Sequence, residues 1–350
     1  MNAPAGGQVN STKAINANLE SANNFALWVY VSDAEKLEHL SLYFTSDPTW
    51  SRFFYVEING GAWNSNGYLV WGWNKLVIPK DAFQNYLYES WQNTMIRLRV
   101  ACDASDGDTV SASFDELRYD YQAKAKCIFT FDDGHASVIS LAKPILDSNG
   151  QAGVAFIVVD WLGGHGRMAK KDLESLRDAG WDISNHSKSH LGLIDLSPAE
   201  LDAQVNGGYE WLVNNGFAES ARFFGYPFGA FNETVIEKVK ENHSLARTVI
   251  RGNYQPLIPM QGDAEFTLKI KAVHWETSVD EVKESIDGAI EHGKLLILMF
   301  HVIVESDPGA WEYSDDNLKA ISDYLRVKEE ADEIDVVTFS EYYRQMSHGE

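Results

Sequence analysis

The sequence predicts a two-part α/β protein, with an all-β sandwich over residues 1–122 and a half built from repeating βα units over residues 123–350. Three observations carry this. Up to about residue 122, short alternating segments at 40–44, 53–58, 68–71 and 95–100 are separated by Gly, Asn, Asp and Pro, the pattern of strands and turns in a sandwich. Beyond Lys124, apolar runs alternate with helical patterns, which implies a parallel sheet or barrel. The length of 350 residues exceeds a typical single domain, so two domains are the natural expectation.

The elements follow in order. Phe114-Asp115-Glu116-Leu117-Arg118-Tyr119-Asp120-Tyr121 reads as the closing strand of the first half, and Gln122-Ala123-Lys124-Ala125 as a linker. The second half opens with a strand at 126–131, a helix at 136–147, a strand at 154–159 and a helix at 169–179. Ser197 with Glu200 makes a capping box for a helix running to Asn214, and Ser278 with Glu281 makes one for a helix running to His292. Leu295-Leu296-Ile297-Leu298-Met299-Phe300 is a continuous apolar run, as expected of a strand buried on both faces. A last strand at 335–338 leads into a helix at 340–345, giving seven or eight strands in this half.

Composition narrows the function. A formal net charge of −22 argues against nucleic acid, whose phosphate backbone is held by clustered Lys and Arg, and disfavours adsorption to anionic lipid. No apolar stretch is long enough to span a bilayer, and the opening Met1-Asn2-Ala3-Pro4-Ala5 has neither the basic end nor the apolar run of a signal peptide. Cys102 and Cys127 are too few for a disulfide framework or a cysteine metal site, and read as small buried residues. Six of the eleven tryptophans fall in the first half, Trp63, Trp71 and Trp73 among them; most belong to the core a sandwich needs, and the rest would suit a ligand surface. The pattern sets no oligomeric state.

The chemistry concentrates in four places. In Thr130-Phe131-Asp132-Asp133-Gly134, two carboxylates stand where an apolar strand breaks into a turn, and Gly134 lets the chain reverse between them. One could hold a metal while the other handles a proton. His186 and His190, four residues apart, would face one side of a helical turn, as a bidentate metal site requires; two His and one Asp leave positions open for water. No Glu follows the first His, so a general base must come from elsewhere, and the Asp pair has one to spare. The segment Arg222-Phe223-Phe224-Gly225-Tyr226-Pro227-Phe228-Gly229 enters a rigid loop whose backbone N–H groups could face an oxyanion. Finally, His301 ends the 295–300 run where barrel folds place catalytic groups.

These four elements, in this order, resemble the polysaccharide deacetylase family (carbohydrate esterase family 4, with its NodB-like catalytic domain) over roughly residues 124–346. The resemblance implies a distorted (β/α) barrel of seven or eight strands. It implies Asp132 as general base, Asp133, His186 and His190 as metal ligands, His301 as general acid, and the Phe228 N–H as an oxyanion donor. By their places after strands or in loops, Tyr226 and Trp275 are candidates to line the substrate cleft. The cofactor expected is a divalent metal, with zinc favoured by two imidazoles and a carboxylate, and cobalt, nickel or manganese compatible with the same ligands. Two motifs depart from the family. The arginine that orients the base is replaced by Gly225, leaving Arg222 as a candidate three residues earlier; the segment that orients the acid survives only as Val273-His274-Trp275. The first half faintly resembles jelly-roll carbohydrate-binding modules.

The function expected is metal-dependent removal of acetyl groups from a polysaccharide. N-acetyl is preferred to O-acetyl, because an amine is the worse leaving group and justifies a dedicated acid. The setting expected is extracellular, cell-surface or phage-associated. Two alternatives are a carbohydrate-binding or adhesin protein with an inactive barrel, and a hydrolase of a small cyclic amide. Of the other histidines, His39, His243, His292 and His348 read as surface residues, His135 as a cleft or helix-start residue, and His165 as part of a surface loop. Trp161 and Trp311 are further candidates for the cleft wall.

Overall fold

A computed structural model describes residues 2–3, 8–32, 37–57, 72–104, 109–119, 124–255, 257 and 265–348. The expected strand at 68–71, Trp63 and Trp71 lie outside these residues, as does the side chain of Trp73. Contacts divide the chain into one unit based on Met1–Gln122 and a second comprising Ala123–Leu257 and Gly262–Gln345.

The first unit is wholly antiparallel. Its strands are β1 (Asn2–Ala3), β2 (Gln8–Asn18), β3 (Asn24–Val31), β4 (Leu37–Thr45), β5 (Phe53–Glu57), β6 (Gly72–Pro79), β7 (Gln84–Tyr86), β8 (Thr94–Ala104) and β9 (Val110–Tyr119). They form a four-stranded sheet ordered β1-β9-β3-β6 and a five-stranded sheet ordered β2-β8-β4-β5-β7. Alternation directs Leu40, Leu42 and Phe44 of β4 inward to meet Phe25, Leu27 and Val29 of β3 from the other sheet. Phe25 and Phe44 lie 4.9 Å apart across that core. Trp91 is packed here too, stacked on Phe54 at 3.9 Å.

The second unit holds β10 (Ala125–Phe131), α1 (Lys143–Ser148), β11 (Gly153–Ile157), α2 (Lys170–Asp178), β12 (Asp182–Asn185), α3 (Pro198–Asn214), β13 (Phe223–Gly225), α4 (Glu233–Lys240), β14 (Leu245–Arg251), β15 (Leu268–Ala272), α5 (Val279–His292), β16 (Leu295–Phe300), β17 (Val302–Val304), β18 (Glu312–Ser314), α6 (Asp315–Glu330), β19 (Ile334–Val336) and α7 (Phe339–His348). Strands β10 to β16 run parallel, and β10 pairs with both β11 and β16, so seven strands close into a barrel. The eighth, β19, shares an edge with β11: it pairs with residues 125–127 of β10, while β11 pairs with residues 129–131. That sharing is why either seven or eight strands could be counted from the sequence.

The barrel strands are buried on both faces, so β10, β11 and β16 read as unbroken apolar runs. Both capping boxes form, at Ser197–Glu200 and Ser278–Glu281. The helix expected at 136–147 instead begins with a π-turn at Val138–Ala142 before α1. Both cysteines are buried and free. No helix among the described residues is long and apolar enough to cross a membrane.

Candidate active site

Parallel closure brings the carboxyl ends of the strands to one rim, and five chemically active side chains stand there. Asp132 and Asp133 follow β10, His186 follows β12, Arg247 lies within β14, and His301 follows β16. Hydrogen bonds tie the strand ends together, Asp132 N–H to Phe300 O at 2.9 Å and His186 N–H to Ile157 O at 3.0 Å.

The loops that present these groups are conformationally costly. Asp133, Ser187, His190, Phe228 and Trp311 all have positive φ, at 69°, 66°, 58°, 58° and 65°. Each such non-glycine residue costs on the order of 1–3 kcal/mol and persists only where its surroundings demand it. His186 and His190 sit on a loop rather than on the helical turn expected. The left-handed kinks at Ser187 and His190 bring the two rings to 4.9 Å, which i, i+4 spacing on a helix would otherwise have done.

Asp133 Oδ1 lies 3.6 Å from His186 Nε2 and 3.5 Å from His190 Nε2. Three ligands at about 2.1 Å from a tetrahedral zinc would be separated by roughly 3.4 Å, so these atoms are spaced as a metal requires. The same Oδ1 is buried and, among the described residues, has no hydrogen-bond partner. His186 Nδ1 donates to Gly225 O at 2.7 Å, which turns Nε2 toward Asp133. Burial lowers the His186 pKa to about 4 and also lowers that of His190, so both are neutral ligands near pH 7. Burial alone would raise Asp133, but the neighbouring His135, His186, His301 and His190 bring it below the ordinary carboxylate range. The residues therefore fit a divalent cation.

Asp132 faces the other side. It is 2% exposed and pairs through Oδ1 with Arg247 Nη2, while Oδ2 lies 3.9 Å from both His186 Nε2 and His301 Nε2. Arg247 is fully buried, with its guanidinium 4.7 Å over the Phe156 ring. A Cβ at Gly225 would come within 3.2 Å of Arg247 Nη2 and 3.1 Å of both His186 Nδ1 and Phe156 Cδ1. The missing side chain at 225 is thus the space in which Arg247 lies.

Three expectations are corrected. Arg222 does not reach Asp132: it donates to Ser244 Oγ at 2.8 and 2.6 Å and stacks on Tyr343 at 4.5 Å. Tyr226 is fully buried among Phe224, Phe231 and Val235, so it is a core residue and not a cleft wall. His243, expected at the surface, is also buried, between Val239 O and the Asn185 amide. Arg247 was missed, although an arginine inside the apolar run 245–250 signals a paired internal charge.

The remaining candidates lie at the rim. Phe228 is 67% exposed, with its ring 4.5 Å from His190. Trp161 lies 5.1 Å from His190 and Trp311 lies 5.3 Å from His301. Trp275 is 52% exposed. His135 accepts from Arg167 Nη1 at 2.9 Å, and Arg167 also donates to Asp133 O at 2.7 Å, bracing the Asp turn.

The barrel's carboxyl rim thus brings together a group that could hold a cation, Asp133, His186 and His190, and two further side chains, Asp132 and His301, able to take or give a proton. A family model described as Polysaccharide deacetylase matches residues 120–244. Over those residues the barrel unit is similar to the polysaccharide deacetylase family. The Bacillus subtilis (strain 168) protein YxkH, named for polysaccharide deacetylase, is 25% identical over 172 residues, covering 48% of this chain and 57% of that protein. The match thus spans little more than half the length of that relative. Among solved structures, a polysaccharide deacetylase from Bacillus cereus is 14% identical, with 80% of this chain and 99% of that one covered and a TM-score of 0.45. A family 4 acetyl xylan esterase from Clostridium thermocellum, in complex with cobalt, is 16% identical, with 63% and 90% covered and a TM-score of 0.42.

Proposed function

We propose that this chain hydrolyses acetyl groups from an acetylated polysaccharide, N-acetyl in preference to O-acetyl, with a divalent metal held by Asp133, His186 and His190. The observation that carries the reading is the buried, unpartnered Asp133 Oδ1 spaced 3.5–3.6 Å from two imidazole nitrogens, beside a second carboxylate held on a buried arginine. Zinc suits this donor set best, and cobalt, nickel or manganese would fit the same three ligands. When bound, the metal supplies Lewis acidity and lowers the pKa of water toward neutrality.

The chain's own groups divide the remaining work. Asp132 takes the proton of the attacking water, and Arg247 pairs with its carboxylate and fixes it in direction. The Phe228 N–H, set by its left-handed backbone between Pro227 and Gly229, donates to the developing oxyanion, a contribution typically of about 3 kcal/mol. His301, across Asp132 from the metal ligands, protonates the departing amine or alcohol. We place the reaction outside the cell or on a phage particle, where such polymers are met.

The test is metal content and acetate release in parallel for the native protein, His186→Ala and Asp132→Ala, on acetylated chitin, peptidoglycan, xylan and capsule fractions. The expected result is loss of metal in His186→Ala only, with acetate release abolished in both. A native protein that binds no metal, or releases no acetate from any of the four polymers, overturns the reading.

A further inference from the structure

The first unit carries a surface of its own. In the five-stranded sheet a single rung runs through Thr12, Arg99, Tyr43, Tyr55 and Gln84, each directly opposite the next. Residues opposite one another on paired strands share a face. Tyr43 and Tyr55 alternate with Leu42, Phe44, Phe54 and Val56, all buried in the core, so the rung lies on the face turned away from it. Phe53, two residues from Tyr55, is on that same face opposite Tyr86.

These rings form one continuous strip. Tyr43 and Tyr55 stack at 6.0 Å and 18°, Phe53 and Tyr86 at 4.7 Å and 17°, and Tyr43 meets Phe53 at 5.6 Å. Trp50 extends the row, 6.5 Å from Phe53, with the Arg99 guanidinium 3.9 Å over its ring. The edge of the strip is polar: Tyr55 Oη donates to Gln84 Oε1 at 2.6 Å, and Thr12 and Gln84 are exposed. Tyr86 is 47% exposed.

We propose that this strip is a glycan-binding platform, on which pyranose rings stack by their C–H faces while Gln84, Arg99 and Thr12 bond their hydroxyls. Tyr43, Trp50, Phe53 and Tyr55 are half-buried and Tyr86 is exposed, and a contiguous partly exposed aromatic surface commonly marks a binding site. At the outward positions from His39 to Thr45 on β4, and along β5 and β7, there is no aliphatic side chain, so this part of the face offers flat rings and hydrogen-bonding groups, with the small Ala14 and Ala101 beside it on β2 and β8. A sugar ring presents the matching pair, an apolar face and a hydroxylated edge. Five strands about 4.8 Å apart give a row of about 19 Å, the scale of an extended chain rather than a single small molecule. The choice of a polymer over a protein partner rests on the reading of the barrel as a polysaccharide deacetylase.

The experiment compares the full chain with Tyr86→Ala and with Tyr43→Ala/Tyr55→Ala, measuring retention on acetylated chitin, peptidoglycan, xylan and capsule fractions. Acetate release from a short acetylated oligosaccharide, thermal unfolding and sedimentation are followed in parallel. Tyr86 sits on an exposed edge strand, so its truncation tests the platform without opening the core. Native protein should be retained on at least one polymer, with retention weakened about fivefold in Tyr86→Ala and at least about tenfold in the double variant, one ring contact being worth about a factor of ten at most. Oligosaccharide turnover should stay within about twofold. Retention unchanged in both variants, retention of native protein on none of the four polymers, or a change in self-association instead of retention overturns the platform. Strip-dependent retention without any acetate release would remove the deacetylase reading and leave the platform standing; acetate release with strip-independent retention would do the reverse.

Discussion

Replacing Arg247 tests the electrostatic arrangement of the site most directly. Its guanidinium and the Asp132 carboxylate are 0% and 2% exposed and pair with each other across 115 residues of sequence. Removing one member of a buried pair leaves an uncompensated charge, at a cost of roughly 3–5 kcal/mol. Water entering the vacated volume relieves part of it, so we expect Arg247→Gln to fold while its base is no longer held in direction. At pH 7 its acetate release should fall by about 100-fold, equivalent to about 2.7 kcal/mol. Arg247→Lys keeps a point charge without the planar fork and should fall between the two. Circular dichroism establishes that each variant is folded. A folded Arg247→Gln with native turnover refutes the role assigned to this arginine.

Three further outcomes follow from other contacts. Asp133→Asn keeps the shape of the turn but removes the unpartnered anionic oxygen, so bound metal measured by elemental mass spectrometry should drop from near one equivalent to less than about a tenth; retention of stoichiometric metal would dismiss Asp133 as a ligand. His243 is buried with its pKa lowered to about 4, so its contribution to stability is present above the unfolded value of 6.5 and lost as pH falls toward 4. Between pH 7.5 and 5 that amounts to about 2 kcal/mol, and urea unfolding of His243→Gln should show a correspondingly shallower loss than the native protein; an identical slope would show that His243 is not the source. Gly225→Ala places a methyl group within 3.1–3.2 Å of His186, Phe156 and Arg247, three groups already held in place. It should lose about 1–3 kcal/mol of stability together with much of its acetate release, and native behaviour would mean that the pocket around Arg247 has slack.

What could be read from the sequence and what could not separate along a physical line. Asp132, Asp133 and His301 announce themselves because charge at the end of an apolar strand is costly, and the expense is visible in a dozen consecutive residues. His186 and His190 were legible as a pair by spacing, yet their conformation was not, since a helix and a doubly kinked loop can bring residues four apart to one ligand centre. The strip of Tyr43, Tyr55 and Tyr86 depends on register between strands distant in sequence, which alternation within each strand cannot supply. Arg247 shows how far the argument can be pushed. A carboxylate buried at a barrel rim needs a cation, and with Gly225 in the usual place of the arginine the nearest arginine in sequence is Arg222, which bonds Ser244 instead. Barrel geometry gives a better rule: space left by a side chain on one strand is open to the adjacent strand, and the neighbour of β13 is β14, where Gly225 lies opposite Arg247. The search for a displaced functional group should therefore run across the sheet before it runs along the sequence.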